Sequence, residues 1–147
     1  MRIEIDQSGK IETTDKPTVL AFSNSKSKTL IILPKDKKQI QKLFRKAGRP
    51  TIFVYRTFAV LIFLLIKDDL NRINQIIIDK EYLGYDKLIK QFIIELCNKF
   101  KIKIEPDIIH FKEIGRKSNA HKIAIAGYQT KKADIKITLK DFLRVNL

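Results

Sequence analysis

The feature that most constrains the fold is a change in the spacing of apolar residues after about the first 33 positions. Before it, three strand-like runs at residues 2–6, 18–23 and 29–33 are separated only by turn residues, such as Ser8 and Gly9. Parallel neighbours need a long crossover, so connections this short predict an antiparallel meander. After the change, apolar residues recur at helical spacing and further strand-like runs alternate with helices.

The second part of the chain predicts helices that link strands. The elements expected there are helices at 34–48 and 51–69, a strand at 73–79, a helix capped by Asp86, a strand at 107–111, a helix from Ser118 to about Tyr128, a short tail strand at 135–137 and a last helical turn from 138. Strands joined through helices favour parallel pairing. We therefore predict one α/β domain over 1–147, with a five-stranded mixed sheet in which three antiparallel strands are followed by two parallel additions, flanked by helices.

Residues 52–66 form the most hydrophobic stretch of the chain, IFVYRTFAVLIFLLI. It is 15 residues long and contains Arg56, so it is shorter than the ~20 apolar residues of a spanning helix. A buried core helix is the preferred interpretation, and a pair of strands is the alternative because β-branched and aromatic residues are dense there. A surface that docks on another protein chain is a further interpretation of this segment.

The charge balance favours a polyanionic partner. The chain has 30 Lys and Arg residues against 16 Asp and Glu residues, a formal net charge of +14. Such an excess attracts nucleic acid, although a generally lysine-rich surface would give the same count. The single cysteine, Cys97, excludes an internal disulfide and a multi-cysteine zinc site, and it favours a reducing, cytoplasmic location. We read Cys97 as a core residue of its helix.

Two of the predicted strands end in an aspartate, Asp6 and Asp79. If their strands are parallel neighbours, both carboxylates lie at the carboxyl end of the sheet, where open α/β sheets place their sites. Adjacent carboxylates repel each other and favour a hard divalent cation such as Mg²⁺ or Mn²⁺ between them. The alternative is that both acids are ordinary turn formers at strand ends.

Three local motifs, in this order of elements, resemble the ribonuclease H-like fold shared by ribonuclease H, Holliday-junction resolvases, transposases and Piwi domains. IDQSG is similar to the Asp-Gly-Ser of the family's first strand, with Gln7 in place of the glycine, and IIIDKEY is similar to the fourth-strand aspartate followed by an aromatic residue. EIGRKSNAHKIAIA resembles the loop and last helix, which aligns His121 with the last aspartate of ribonuclease H. The resemblance implies a metal-dependent nuclease with Asp6, Asp79 and His121 as catalytic metal ligands.

The first predicted helix departs from ribonuclease H itself. Residues 37–48 contain no acid, where ribonuclease H carries a catalytic glutamate; transposases and Piwi domains lack that glutamate too, and Piwi domains use an Asp-Asp-His set. The resemblance therefore points away from ribonuclease H specificity for RNA–DNA hybrids.

Two further residues have a functional and a structural interpretation. With Ser118 as the cap, His121 occupies the third helical position and shares an inward-facing stripe with Ala124 and Tyr128. It is therefore either a ligand or a core histidine. Glu81 lies two residues after Asp79 and is either an additional metal ligand or a solvated loop acid.

Basic residues on two elements are candidates for contacts with phosphates. Arg116 and Lys117 lie just before the last long helix, where a phosphate can approach a helix N-terminus. The polar face of the first helix carries the others, for which a merely solvated face is the alternative: Lys37, Lys38, Lys42, Arg45, Lys46 and Arg49.

We therefore predict a nuclease that uses Mg²⁺ or Mn²⁺ to hydrolyse phosphodiester bonds in DNA, RNA or a hybrid, with no membrane partner. The competing prediction is a non-catalytic nucleic-acid-binding module on the same fold, which binds nucleic acid in a salt-sensitive way without cutting it. The oligomeric state is left open.

Overall fold

The computed structural model describes residues 1–24 and 26–146. Its strands are β1 (Arg2–Ser8), β2 (Thr18–Ser23), β3 (Ser27–Ile32), β4 (Gln75–Asp79), β5 (Ile109–Lys112) and β6 (Ile135–Ile137). Its α-helices are α1 (Pro34–Lys46), α2 (Phe53–Ile66), α3 (Asp86–Lys99), α4 (Asn119–Thr130) and α5 (Leu139–Asn146). Short 3₁₀ turns at Pro50–Ile52, Leu70–Arg72 and Pro106–Ile108 introduce α2, β4 and β5.

The strands form one mixed sheet in the order β5-β4-β1-β2-β3-β6. β1, β2 and β3 are antiparallel neighbours, and β4 and β5 are added in parallel on the side of β1. The α/β class and the mixed sheet are confirmed, but the prediction of five strands is wrong. The short run at Ile135–Ile137 joins the sheet as a sixth strand, parallel to β3, with Ile135 opposite Leu30. A run of three residues is too short for its sequence pattern to indicate which strand it pairs with.

One face of the sheet is covered by α1, α2, α3 and α5, and we call it the apolar face. The strands contribute alternate residues to it, including Ile3, Ile5 and Phe22. The segment predicted as a core helix is α2, and eleven of its fourteen residues are buried. The alternative of two strands is wrong. The interpretation of the segment as a docking surface stays a prediction, and it concerns only the partly buried residues of the helix, such as Val54 and Tyr55. Among the described residues, no helix is both long and apolar enough to cross a membrane.

The opposite face is covered by α4, which packs on β1, β2 and β3, and we call it the α4 face. The residues of α4 that meet the sheet are small: Ala120, Ala124 and Gly127 are buried. A Cβ at Gly127 would lie 3.0 Å from Cγ1 of Val19 on β2. The small residues therefore let the helix approach closely, and this brings its first turn against β1.

The structure confirms one of two predicted helix caps and contradicts the other. The Ser118 hydroxyl accepts a hydrogen bond from the Ala120 amide at 3.2 Å, so Ser118 is the cap of α4 as predicted. Asp86 is the first residue of α3 rather than its cap, and its carboxylate lies 3.8 Å from Nζ of Lys80. The prediction of Asp86 as a capping residue is wrong.

Lys37 does not belong to the solvated face of α1. It is fully buried, and its Nζ donates hydrogen bonds to the carbonyl oxygens of Lys10 (3.1 Å) and Thr13 (2.8 Å) and to the hydroxyl of Thr18 (3.0 Å). Burial lowers the pKa of Lys37 to about 8. The side chain therefore fastens the first turn of α1 to the loop between β1 and β2, a contact that a count of charges along the helix cannot reveal.

Candidate metal centre

Parallel pairing of β1 with β4 brings Asp6 and Asp79 together. The register places Ile5 opposite Ile78, so the next residues, Asp6 and Asp79, lie side by side just past the last parallel pair. Asp79 is the last residue of β4, but the prediction that the first strand ends at Asp6 is wrong, because β1 continues to Ser8 in its antiparallel pairing with β2. Glu81 follows within two residues, and one carboxylate oxygen from each of the three lies within 4.8 Å of the others. We call these three residues the acidic cluster. The sequence predicted that Asp6 and Asp79 would be adjacent if their strands were parallel neighbours, and in the structure they are.

Asp6 is the most buried member of the acidic cluster, with 3% of its surface exposed. Its Oδ1 accepts a hydrogen bond from the Gln7 amide at 2.8 Å, and its Oδ2 lies 2.7 Å from Nδ1 of His121. Burial raises the pKa of Asp6, the contacts with Gln7 and His121 act in the opposite direction, and the charge of Asp79 raises it further. The Gln7 amide and the His121 ring therefore fix the direction of this carboxylate, which also faces another acid.

Asp79 connects the acidic cluster to the loop that precedes α4. Its Oδ1 accepts a hydrogen bond from the Ile114 amide at 2.7 Å. At the other end of that loop, the Ser118 hydroxyl donates to the carboxylate of Glu4 at 3.0 Å. The loop that carries Arg116 and Lys117 is therefore held to β4 at one end and to β1 at the other.

Glu81 shows most clearly that the acidic cluster is electrostatically unfavourable by itself. Burial, a hydrogen bond shared with Asp79 and the charges of Asp79 and Asp6 raise the pKa of Glu81 to about 8, and Lys10 opposes them weakly. Three carboxyl groups at this separation hold a proton that isolated carboxyls would have lost at neutral pH. A divalent cation would replace that proton, and oxygen ligands of this type suit Mg²⁺ or Mn²⁺. The donor set therefore fits such an ion.

His121 lies beside the acidic cluster rather than within it. The described group with mutually close ligand atoms consists of Asp6, Asp79 and Glu81, while Nδ1 of His121 contacts Asp6. Its side chain is 26% exposed. With the proton on Nδ1, the ring donates to Asp6 and leaves Nε2 as an acceptor. The predicted role of His121 as a ligand stays a prediction; the contact that the structure provides is with the carboxylate of Asp6.

The predicted basic residues fall into two groups. Arg116 and Lys117 are exposed on the loop held by Asp79 and Glu4, next to the acidic cluster. The other four are exposed on the later turns of α1 and just after it, past the first turn that Lys37 holds to the loop after β1, and no described contact brings them to the acidic cluster: Lys42, Arg45, Lys46 and Arg49.

Two residues that the sequence did not single out shape the site. The Tyr82 hydroxyl accepts hydrogen bonds from Nε2 of Gln7 at 3.0 Å and from the Ile11 amide at 3.3 Å, and it lies 3.4 Å from a carboxylate oxygen of Glu12. It therefore joins the loop after β4 to the loop after β1. Lys10 supplies the positive charge near Glu81. The aromatic residue after the acid was a visible signal for Tyr82, whereas nothing in the sequence distinguishes Lys10 from the other lysines.

Cys97 is a core residue, as predicted. It is fully buried on α3, and burial raises the pKa of its thiol to about 11. A thiol that holds its proton in this way is a poor nucleophile at neutral pH.

Comparison with protein-family models, with curated proteins and with solved structures finds no significant match to this chain.

Proposed function

We propose that this protein is a divalent-metal-dependent nuclease with a ribonuclease H-like fold. The observation that carries the proposal is the acidic cluster: Asp6, Asp79 and Glu81 converge where the parallel pairing of β1 with β4 ends. The net charge of +14 makes a polyanionic substrate the natural partner of a site that would otherwise repel phosphates. A divalent ion in the cluster would offset most of this negative charge and so lower the repulsion of a phosphate.

The strand arrangement supports the fold assignment. An antiparallel β1-β2-β3 meander extended in parallel by β4 and β5 on the side of β1 is the arrangement that the resemblance implies. The parallel strand β6 on the other edge is an addition to that arrangement.

The residues have distinct roles in the proposed reaction. Asp6, Asp79 and Glu81 hold Mg²⁺ or Mn²⁺, with His121 orienting Asp6 and available as a further ligand. The bound metal would activate water and stabilise the leaving oxygen during in-line attack on phosphorus. Arg116 and Lys117 contact backbone phosphates, which positions a strand without reading its sequence.

The test is cleavage of labelled single-stranded DNA, duplex DNA, RNA and an RNA–DNA hybrid with Mg²⁺ or Mn²⁺. We expect cleavage that depends on the metal and that falls at least ~100-fold in Asp6→Asn, because a ligand and several kcal/mol of charge stabilisation are lost. Asp68→Asn is the matched control, since that carboxylate is 68% exposed on the segment after α2 and its ion-pair partner among the described residues is Lys67. Cleavage that Asp6→Asn leaves intact would contradict the proposal.

The second candidate is a non-catalytic nucleic-acid-binding module. It is favoured by the first helix, which offers the site no acid: the carboxylate of Asp36 accepts a hydrogen bond from the Leu139 amide at 2.9 Å instead. Titration with Mn²⁺ followed by calorimetry separates the two candidates. Binding tighter than millimolar that disappears in Glu81→Gln favours the nuclease, and salt-sensitive binding of nucleic acid without metal binding favours the module.

A further inference from the structure

The loop that follows the acidic cluster exposes two large side chains to solvent. Leu83 is 78% exposed and Tyr85 is 41% exposed, and both follow Glu81 within four residues. Neighbouring Cα atoms are about 3.8 Å apart, so Leu83 starts within roughly 8 Å of the Glu81 backbone. An apolar side chain this exposed is costly to hydrate, and its position beside a candidate catalytic centre points to contact with the substrate.

Contacts on both sides fix the conformation of this loop. Tyr82 is 9% exposed and is hydrogen-bonded to Gln7 and Ile11, and Lys80 lies 3.8 Å from the carboxylate of Asp86 across the loop. Gly84 has a φ of +85°, a backbone conformation that reverses the chain between the two exposed side chains. The loop therefore presents Leu83 and Tyr85 in a defined way rather than as a frayed end.

The Tyr85 ring is the outer member of an aromatic column that starts in the core. Phe58 of α2 meets Tyr82 edge to face at 5.2 Å, Tyr82 meets Tyr55 at 5.9 Å, and Tyr55 stacks on Tyr85 at 3.8 Å with the rings 12° apart. Tyr55 covers one face of the Tyr85 ring, and the exposed fraction of Tyr85 leaves a further surface for another flat group. A nucleobase is a flat group of this kind, and stacking on an aromatic side chain tolerates any base.

The charges around the loop suit a phosphate backbone. Lys10, Lys80 and Lys87 are exposed close to it in the chain or in space, and Lys10 is near enough to Glu81 to affect the pKa of that residue. Aromatic and apolar side chains interleaved with lysines match single-stranded nucleic acid better than an apolar protein surface. In an unbroken duplex the faces of the bases are covered by their neighbours, so they are not available to Leu83 or Tyr85.

We propose that Leu83 and Tyr85 form a base-contacting surface, so that the site selects nucleic acid with unpaired bases over continuous duplex. This inference rests on the proposed function for its substrate class. Base contacts would position the adjacent phosphodiester over the acidic cluster, while the lysines hold the backbone on either side.

The test is equilibrium binding of a fluorescent single-stranded oligonucleotide and of its duplex, measured by anisotropy in EDTA and in Ca²⁺. We expect the wild type to prefer the single strand, and Tyr85→Ala to lose about 5- to 150-fold in affinity for it, which corresponds to one lost base stack of ~1–3 kcal/mol. Duplex affinity should change less than about twofold, and Tyr85→Phe should retain the preference because the ring remains. Leu83→Ser lowers the same preference without any risk to folding, because that side chain is largely exposed.

The control variants are Phe100→Ser and Leu43→Ser, which remove side chains that are each 40% exposed at other places in the molecule. The inference is overturned if Tyr85→Ala and Leu83→Ser leave the ratio of single-strand to duplex affinity unchanged, which would assign the loop to a protein contact instead. It is overturned as well if the wild type binds no nucleic acid. A preference for single strands that depends on Tyr85, together with no metal-dependent cleavage, supports the inference and contradicts the nuclease proposal alone.

Discussion

The two faces of the sheet are covered by different kinds of contact. On the apolar face, α2 buries eleven of its fourteen residues against the strands and the neighbouring helices. On the α4 face, a single helix approaches through Ala120, Ala124 and Gly127, and polar side chains fix its first turn. Ser118 contacts Glu4, and His121 contacts Asp6. The apolar face supplies most of the buried area, and the α4 face carries the acidic cluster.

The difference between the two faces shows where this fold tolerates buried acids. A carboxylate such as Asp6 costs free energy when it is buried, and hydrogen bonds to Gln7 and His121 offset part of that cost. Such a residue is tolerated where a helix is held by specific polar contacts. It would disrupt the apolar face, whose stability comes from continuous packing. The predictions that follow test this division, from the largest expected effect to the smallest.

Truncation of a core aromatic on the apolar face should have the largest effect. Phe58→Ala removes a side chain that is 2% exposed and should lower the free energy of unfolding by about 3–5 kcal/mol. Phe100→Ala, at a ring that is 40% exposed, should cost roughly 1–2 kcal/mol because less buried area is lost. Urea denaturation of both variants measures the contrast, and equal costs would show that burial in α2 does not dominate stability.

Gly9 tests the close approach of α4 to the turn after β1. Its φ is +82°, and a Cβ there would meet the carbonyl oxygen of Pro17 and would lie 2.8 Å from a ring carbon of Tyr128 on α4. Gly9→Ala should therefore cost about 2–4 kcal/mol, from backbone strain and from the clash together. Gly84→Ala is the matched control, because its φ of +85° is similar but nothing lies within 4 Å. It should cost only ~1–2 kcal/mol by the same denaturation measurement.

Lys37 sharpens the comparison because it is a buried charge on α1, a helix of the apolar face. Lys37→Met removes three hydrogen bonds, to the carbonyl oxygens of Lys10 and Thr13 and to the Thr18 hydroxyl, although each carbonyl oxygen keeps a backbone donor. The change should cost about 1–3 kcal/mol at pH 7.

The same residue gives a pH dependence of known sign. The pKa of Lys37 is lowered from its ordinary value of 10.5 to about 8, so the unfolded chain binds more protons than the folded chain between these values. The wild type should therefore gain stability relative to Lys37→Met as pH rises from about 8 to 10.5. Thermal unfolding of both proteins across this range measures the difference. A constant difference would show that Lys37 titrates normally in the folded protein.

Substitution of Ser118, at the start of α4, should have the smallest effect on stability. Ser118→Ala removes the cap of the Ala120 amide and the hydrogen bond to Glu4, and it should cost about 1 kcal/mol. Ser118→Thr keeps a hydroxyl and should stay within a few tenths of a kcal/mol of the wild type. If the two variants are equally destabilised, the hydroxyl is not what fixes the first turn of α4.

The fold was predictable wherever one period of apolar residues continued long enough. The three strands of the meander, the buried helix at residues 53–66 and the helix after Ser118 all have such a pattern. A strand at 135–137 was predicted, but its place in the sheet was not predictable, because Ile135–Ile137 resembles any short apolar run until β3 is beside it. The prediction of Asp86 as the cap of α3 was wrong for a related reason. The carboxylate of Asp86 lies near Lys80, a partner that the local sequence does not indicate.

The sequence predicted which acids belong to the site, but it did not predict how they are arranged in space. Asp6 and Asp79 stand out because each ends a predicted strand, and their adjacency depended on which strands pair. Glu81 had the alternative of a solvated loop acid, yet the turn after β4 brings it into the acidic cluster, where burial and the other two carboxylates raise its pKa to about 8. The contact of His121 with Asp6, rather than with the whole cluster, depends on how closely α4 packs on β1.

The sequence by itself determined the α/β class, the order of most elements, the two aspartates that follow apolar strand residues and the excess of positive charge. These are local properties, because period, turn residues and composition are present in the chain before it folds. Only the tertiary structure decided that Glu81 joins the acidic cluster, that Lys37 is buried and that Tyr55 supports Tyr85. Each of these depends on distances between residues far apart in the chain or across a turn, and such distances are set by how the strands pair and the helices pack.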